Sequence, residues 1–147
     1  MRILIFIGLV LSAMFTQAAE PVVETSIQQV VVTETDETIG QVRRFHFTSG
    51  VQEHEPLDKL IGLSNKDTTV YFYTELRNLQ GQKISHRWEY EGQLLAEVSF
   101  NVGSPRWRVW SKKTLLPIWT GEIQVTVLDE QERVLATEVL HYTEASQ

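Results

Sequence analysis

Two alternating runs of residues, on either side of Glu91-Gly92-Gln93, constrain the fold of this chain more than any other stretch. Because side chains on a β-strand point to opposite faces in turn, a period of two residues predicts two half-buried strands. The glycine between the runs predicts a hairpin. The residues that share a face are Ile84, His86, Trp88 and Tyr90 in the first run and Leu94, Ala96, Val98 and Phe100 in the second.

The charges along the two runs favour one register for this hairpin. A two-residue loop, Glu91-Gly92, would pair Trp88 with Leu95 and place apolar and charged residues side by side on one face. Looping out Glu91 to Gln93 instead pairs Trp88 with Ala96 and Arg87 with Glu97. One face is then apolar and the other carries an opposite-charge pair, so we predict this register with a three-residue loop. Gly92 is in the middle of that loop and not in its last position, so the turn type stays open. The same register pairs His86 with Val98 and Ile84 with Phe100.

This register points His86 toward the core, beside Trp88. We expect both to be structural core residues, because buried polar groups are usually bonded within the protein. The alternative is an envelope hydrolase or transferase that uses His86 as a base, which a fully buried ring with both nitrogens bonded would exclude. The chain has no cysteine, and its four histidines lack zinc-ligand spacing. The sequence therefore predicts no metal, no cofactor and no enzymatic activity.

The N-terminus has the pattern of a secretory signal peptide. Met1-Arg2 is positive, Ile3 to Phe15 is apolar, and Thr16 to Ala19 offers small residues for cleavage. The apolar run is shorter than the roughly 20 residues of a membrane span. We therefore expect a mature chain without a transmembrane segment. The absence of cysteine favours the periplasm of a Gram-negative bacterium, because small extracellular domains of eukaryotes usually carry disulfides.

Three segments are predicted along the chain. Residues 1–19 are the signal peptide, residues 20–40 a polar tether, and residues 41–147 one β-sandwich domain. Within the tether, the run Val30–Val32 is the one candidate for a strand. Cleavage would remove one charge, Arg2, and change the net charge from −6 to −7. An acidic exported domain does not suit nucleic acid as a partner.

About seven short strands separated by turn residues predict an antiparallel, immunoglobulin-like β-sandwich, with a barrel as the alternative. Between the first two strands, Gly50 to Thr68 is predicted as a loop with a short turn of helix after Pro56. In the last strand two apolar sets compete for the inner face, which predicts a bulge. The predicted strands outside the hairpin are Val42–Ser49, Thr69–Leu76, Arg106–Ser111, Trp119–Leu128 and Val134–Tyr142.

The strand from Arg106 to Ser111 has two unlike faces. Trp107 and Val109 are expected to face the core. The other face, joined by Arg87 from a nearby strand, would combine guanidinium groups with an indole, which suits the stacking and binding of anions. The predicted binding surface consists of Arg87, Arg106, Arg108 and Trp110.

The expected function is that of a non-catalytic binding or interaction module of the cell envelope. Its partner would be another envelope protein or an acidic glycan. The alternative is an arginine–tryptophan ladder closed by Glu75, Glu89 and Glu97, which serves only the fold of a structural accessory domain. The sequence does not decide between these two functions, nor does it give the oligomeric state.

Several segments, in this order and spacing, resemble the bacterial family called domain of unknown function 2914 (DUF2914). They are Glu55-Pro56, Val70 to Leu76, His86 to Tyr90, Arg106 to Lys112 and Gly121 to Val125. The likeness extends from about Val42 to Tyr142. It departs at Ile123, where an aromatic residue is common, and at Glu132, where a turn glycine is expected. The resemblance implies an exported or membrane-tethered β-domain and brings no assigned activity.

Overall fold

A computed structural model describes residues 39–146. These residues form β-strands and their connections without any helix, so the predicted all-β class is confirmed. The predicted signal peptide and the candidate strand Val30–Val32 lie outside the described residues. Among residues 39–146, no helix is long and apolar enough to cross a membrane.

Ten strands follow one another along the described chain, and seven of them have eight residues or more. They are β1 (Gln41–Thr48), β2 (Val51–Gln52), β3 (Glu55–Pro56), β4 (Gly62–Ser64), β5 (Thr69–Arg77), β6 (Lys83–Tyr90), β7 (Gln93–Asn101), β8 (Arg106–Thr114), β9 (Gly121–Leu128) and β10 (Val134–Thr143).

The strands form two main sheets and one small hairpin. A three-stranded sheet has the order β1-β5-β8, a five-stranded sheet has the order β4-β10-β9-β6-β7, and β2 pairs with β3. All neighbours are antiparallel except β10 and β4. One edge strand of the larger sheet is β7, and one edge strand of the smaller sheet is β8. These two edge strands follow each other along the chain.

The two main sheets share one apolar core. Phe72 of β5 and Trp88 of β6 lie on different sheets, and their ring centroids are 6.4 Å apart. Phe47 of β1 meets the same indole at 5.8 Å. All three side chains are fully buried, and each such burial contributes roughly 1.5–3 kcal/mol to folding. This two-layer packing is the arrangement of a β-sandwich.

The predicted register of the β6–β7 hairpin is confirmed, but the predicted loop is wrong. Arg87 pairs with Glu97, and the three other predicted pairs also form. Gln93 is not looped out, because it pairs with Tyr90. The loop is Glu91-Gly92 alone, with φ angles of 50° and 74°, as the tight hairpin turn of type I′ requires. A β-bulge on β7 then shifts the pairing by one residue, so the residues beyond it pair in the predicted register.

The residue that forms this bulge is Leu95. Trp88 pairs with Ala96 while Glu89 pairs with Leu94, so Leu95 has no partner across the ladder. The extra residue shifts the alternation by one position. The apolar side chains of both strands therefore lie on the same face of the sheet, although the loop has only two residues.

The predicted helical turn after Pro56 does not form, because this segment makes strand pairs instead. Leu57 N donates to Gly50 O at 3.0 Å, and Leu60 N donates to Phe47 O at 2.8 Å. The predicted bulge in the last strand is confirmed at Leu135, which the β9–β10 pairing skips. Ala136, Leu140 and Tyr142 consequently face inward and are buried.

Candidate functional site

His86 lies in the core and links the two sheets. Its ring is fully buried, with Nε2 2.8 Å from Thr74 Oγ1 and Nδ1 2.9 Å from Ser111 Oγ. Thr74 and Ser111 belong to β5 and β8, on the sheet opposite β6. Burial lowers the pKa of His86 to about 3, so the ring is neutral near pH 7. Neither nitrogen is free to act on a substrate, which removes the geometric basis for an enzyme that uses His86.

The two tryptophans expected in the core differ in exposure. Trp88 is fully buried, and its Nε1 donates to Ser111 Oγ at 2.9 Å. Trp107 is 36% exposed although it lies opposite Leu76, a core residue. The reason is that β8 is an edge strand, and the indole lies against Gly103, where an added Cβ would approach it to 3.1 Å. Trp107 therefore lies at the edge of the sheet, outside the buried core, and the expectation that it is a core residue is wrong.

Arg87 does not join the other predicted binding residues. It lies on β6, in the five-stranded sheet, whereas Arg106 and Arg108 lie on β8 in the three-stranded sheet. Its Nε donates to Glu97 at 2.8 Å, and its Nη2 donates to Glu132 at 3.2 Å. The predicted surface of four residues is therefore divided between two sheets.

The outer face of the three-stranded sheet centres on Glu75, whose side chain is 3% exposed. Arg44 Nε donates to Glu75 Oε2 and Arg77 Nε donates to Glu75 Oε1, both at 2.9 Å. Arg106 Nε lies 3.4 Å from Oε1. Burial alone would raise the pKa of Glu75, but hydrogen bonds from these three arginines outweigh it and lower the pKa to about 2. Glu75 is therefore an anion that holds three guanidinium groups in place.

The β2–β3 hairpin adds a second carboxylate to this face. Glu55 of β3 accepts from Arg44 Nη2 at 2.8 Å and from Arg108 Nη1 at 2.6 Å, and these hydrogen bonds lower its pKa. His54 in the hairpin turn contacts Trp110 edge to face, with ring centroids 5.6 Å apart. We call Arg44, Arg77, Arg106, Arg108, Glu55 and Glu75 the arginine cluster; four cations against two anions give it a net charge of +2.

The other two carboxylates expected in an arginine ladder lie elsewhere. Glu97 pairs with Arg87 on the larger sheet, and Glu89 accepts from Gln124 at 3.4 Å. In the part of the chain that the structure describes, the one arginine that stacks on an aromatic ring is Arg44 over Tyr73, at 5.4 Å from the ring centroid. Of the expected ladder, only Glu75 is therefore part of the arginine cluster.

A cavity of about 280 Å³ opens at one end of the cluster. We call it the arginine pocket; its lining residues are Gln41, Arg43, Arg77, Asn78, Pro105 and Arg106. Three of these residues are cationic and none is a carboxylate. Arg77 and Arg106 are held by Glu75. Arg43 is exposed and has no ion-pair partner among residues 39–146. The pocket therefore has one guanidinium group whose charge the described chain leaves unmatched.

Arg43 was not predicted as a site residue, because it occupies a bulge that breaks the alternation of β1. Val42 pairs with Leu76 and Arg44 pairs with Glu75, so Arg43 has no partner in the ladder. The sequence does contain a signal for this bulge. Val42 and Phe45 are three residues apart, yet both pack against the core, which a regular strand does not allow.

A second cavity of about 280 Å³ lies at the edge of β8, beside residues of β7. We call it the edge slot; its lining residues are Phe100, Asn101, Trp107, Arg108, Val109 and Trp110. Arg106 lines the arginine pocket, whereas Trp107 lines the edge slot. The structure separates Arg106, in the arginine pocket, from Arg108 and Trp110, in the edge slot.

Within residues 39–146, no group of three or more histidine, cysteine or acidic side chains is placed to hold a metal ion. No curated protein matches the chain. The family model described as "Protein of unknown function (DUF2914)" matches residues 81–139. This segment contains His86, Trp88 and the strand from Arg106 to Thr114. The resemblance to the DUF2914 family that the sequence predicted is therefore confirmed over residues 81–139.

Proposed function

We propose that this domain is a non-catalytic binding module of the bacterial cell envelope that holds an acidic ligand in the arginine pocket. One observation carries the proposal: three guanidinium groups line a cavity that has no carboxylate in its lining. The envelope location rests on the N-terminal sequence, where an apolar run follows Arg2.

The chemistry of guanidinium groups suits this role. Arginine presents a planar fork of donors that matches carboxylate and phosphate, and such charged hydrogen bonds are among the stronger ones in proteins. Glu75 fixes Arg77 and Arg106 before any ligand arrives, so binding costs less side-chain entropy. Arg43 then supplies the unmatched positive charge.

The size of the arginine pocket limits its ligand. A volume of about 280 Å³ lies just below the roughly 300–1,000 Å³ of typical small-molecule sites. We therefore expect one anionic group on a small carrier, such as an acidic sugar unit or an acidic side chain. The net charge of −6 disfavours a polyanion such as nucleic acid.

A purely structural accessory domain is the second candidate. The ion pairs of the arginine cluster favour it, because they account for Arg44, Arg77, Arg106 and Arg108 without any ligand. Arg43 distinguishes the two functions. If the cluster is purely structural, the charge of Arg43 has no function, whereas a binding pocket requires that charge.

The test is capture from a bacterial envelope extract by the full chain, with Arg43→Glu as the test variant and Lys66→Glu as its matched control. Both changes reverse one exposed charge, and Lys66 lies in the turn after β4, away from the pocket lining. Arg106→Glu or Arg108→Glu would be less informative, because each breaks an ion pair of the cluster. We expect an acidic component that the wild type and Lys66→Glu retain and Arg43→Glu loses. Equal recovery by all three would favour the structural accessory domain.

A further inference from the structure

We propose that the free edge of β8 accepts an extended segment of another protein as a fourth strand of the three-stranded sheet, and that this segment alternates apolar and acidic residues. The site is the edge slot with the neighbouring backbone of β8. The edge slot shares no lining residue with the arginine pocket, and only Arg106 of the neighbouring strand also lines that pocket, so this inference does not depend on the function proposed for it.

The sheet order leaves the backbone of β8 open on one side. Within residues 39–146, β8 pairs with β5 only, and it is the last strand of its sheet. The outward N–H and C=O groups of such a strand are available for pairing with another chain. Lys113 Nζ donates to Leu95 O of β7 at 3.4 Å and so bridges the two edges near the end of β8. The open stretch is therefore the first half, from Arg106 to Trp110.

The inner side of this stretch requires apolar partners. Phe100, Trp107 and Val109 line the edge slot, and Trp107 is 36% exposed. On an added antiparallel strand, residues opposite Trp107 and Val109 would point the same way as these two side chains. An apolar side chain at either position would enter the slot and cover the indole. Its burial would contribute to binding as core burial does.

The outer side of the same stretch requires acidic partners. Arg106 and Arg108 face outward, with Lys112 further along the strand. Arg108 Nη1 donates to Glu55, whereas its Nε and Nη2 have no hydrogen-bond partner within residues 39–146. An acidic residue opposite Arg108 would form a favourable cross-strand pair. The partner sequence is therefore apolar, acidic, apolar across Trp107, Arg108 and Val109.

A second copy of this chain fits the edge less well. Two β8 strands pairing edge to edge would bring basic side chains together, and like charges directly opposite each other destabilise a sheet. The basic residues involved are Arg106, Arg108 and Lys112. Charge complementarity therefore selects an acidic partner.

The test uses a short fluorescent peptide of alternating valine and glutamate, with an alternating valine and lysine peptide as its control. We expect the full chain to bind the glutamate peptide and not the lysine peptide. Two further glutamate peptides are N-methylated. The first carries its methyl groups along one edge of the extended backbone, and the second carries them along the opposite edge. Strand addition uses one edge only, so one methylated peptide should bind and the other should not. Equal binding of both methylated peptides would overturn strand addition.

Two substitutions test the site itself. Trp107→Ala should weaken glutamate-peptide binding about tenfold, the effect of losing roughly 1.4 kcal/mol of contact. Ile118→Ala, at a side chain that is 80% exposed and outside the slot, should leave binding unchanged. Arg108→Glu, in protein whose fold is verified by circular dichroism, should transfer the preference to the lysine peptide. An unchanged preference in that variant would contradict the proposed pairing.

Amide hydrogen exchange gives a readout that a merely structural role would not change. The glutamate peptide should slow exchange at alternate residues within Trp107 to Trp110, because the amides that point away from β5 would become bonded on the open edge. No slowing there on saturation would overturn the proposal. Slow exchange with a dimeric mass in the absence of peptide would also overturn it, in favour of pairing between two copies of this chain.

Discussion

Ser111 Oγ lies 2.9 Å from Nδ1 of His86, although the two residues belong to opposing sheets. The other ring nitrogen meets Thr74 Oγ1 at 2.8 Å. A neutral imidazole has one donor and one acceptor, and each hydroxyl can supply the complementary role. His86 therefore forms a fully bonded polar bridge through an otherwise apolar core, and its substitution should affect stability.

His86→Ala should lower the free energy of unfolding by about 3 kcal/mol, because it leaves a cavity and removes the partner of two buried hydroxyls. Urea denaturation measures this loss. The matched control is His141→Ala, because the side chain of His141 is 64% exposed; we expect a change within about 0.5 kcal/mol. Equal effects of the two substitutions would contradict the bridging role.

Acid should destabilise the fold through His86. Burial lowers its pKa from 6.5 to about 3 in the folded chain. Between these values the unfolded chain binds a proton that the folded chain does not, so stability falls as the pH falls from 6.5 toward 3. One such group changes the free energy of unfolding by at most about 1.4 kcal/mol per pH unit.

Urea denaturation at a series of pH values, for wild type and His86→Asn, measures this contribution. The variant cannot titrate at this position, so its free energy of unfolding should depend less steeply on pH. Burial also lowers the pKa of His46, but that residue contributes equally to both proteins. Identical slopes would show that His86 is not kept neutral by burial.

Glu75→Gln should lower the free energy of unfolding by about 1.5 kcal/mol, the low end of what a hydrogen bond to a charged group contributes, because the arginines left behind are 38–50% exposed and stay partly hydrated. The amide keeps the shape of the side chain but cannot balance Arg44, Arg77 and Arg106. Chemical denaturation measures the loss. Glu55→Gln is the control, and its loss should be clearly smaller because the Glu55 side chain is 44% exposed. A larger loss at Glu55 would show that the hairpin carboxylate, and not Glu75, organises the cluster.

Tyr142→Phe should leave the fold as stable as before or up to about 1 kcal/mol more stable. The Tyr142 hydroxyl is buried and has no hydrogen-bond partner within residues 39–146. Tyr90→Phe is the comparison, because Tyr90 Oη donates to Thr120 O at 3.0 Å. Thermal unfolding distinguishes the two. A loss of more than about 1 kcal/mol in Tyr142→Phe would reveal a hydrogen bond at this hydroxyl.

The sequence predicted the register of the β6–β7 hairpin because two signals agreed. The alternation of apolar residues and the pair of Arg87 with Glu97 both require the observed alignment. The turn was predicted wrongly because a two-residue loop with a bulge and a three-residue loop without one give the same register beyond Leu95. Periodicity alone does not distinguish these two solutions.

The candidate site was less predictable, because it depends on which strands share a sheet. Alternation placed Arg106 and Arg108 on one face of β8, but it contained no information that Arg87 lies on the other sheet. The contribution of Glu55 depends on the β2–β3 hairpin folding over the sheet, which is a tertiary arrangement. Trp107 was expected in the core because its face is correct, whereas its exposure follows from the position of β8 at the edge.

The central claim is that the arginine pocket binds an anionic group through Arg43. Its most direct measurement is the titration of the full chain with glucuronate, a sugar acid, by isothermal titration calorimetry at low salt. The test compares wild type, Arg43→Gln and Lys66→Gln. We expect binding by wild type and Lys66→Gln, with affinity at least tenfold lower in Arg43→Gln, since a hydrogen bond to a charged group contributes about 1.5–3 kcal/mol. Equal affinity of all three proteins, or no heat of binding in any of them, would contradict the claim.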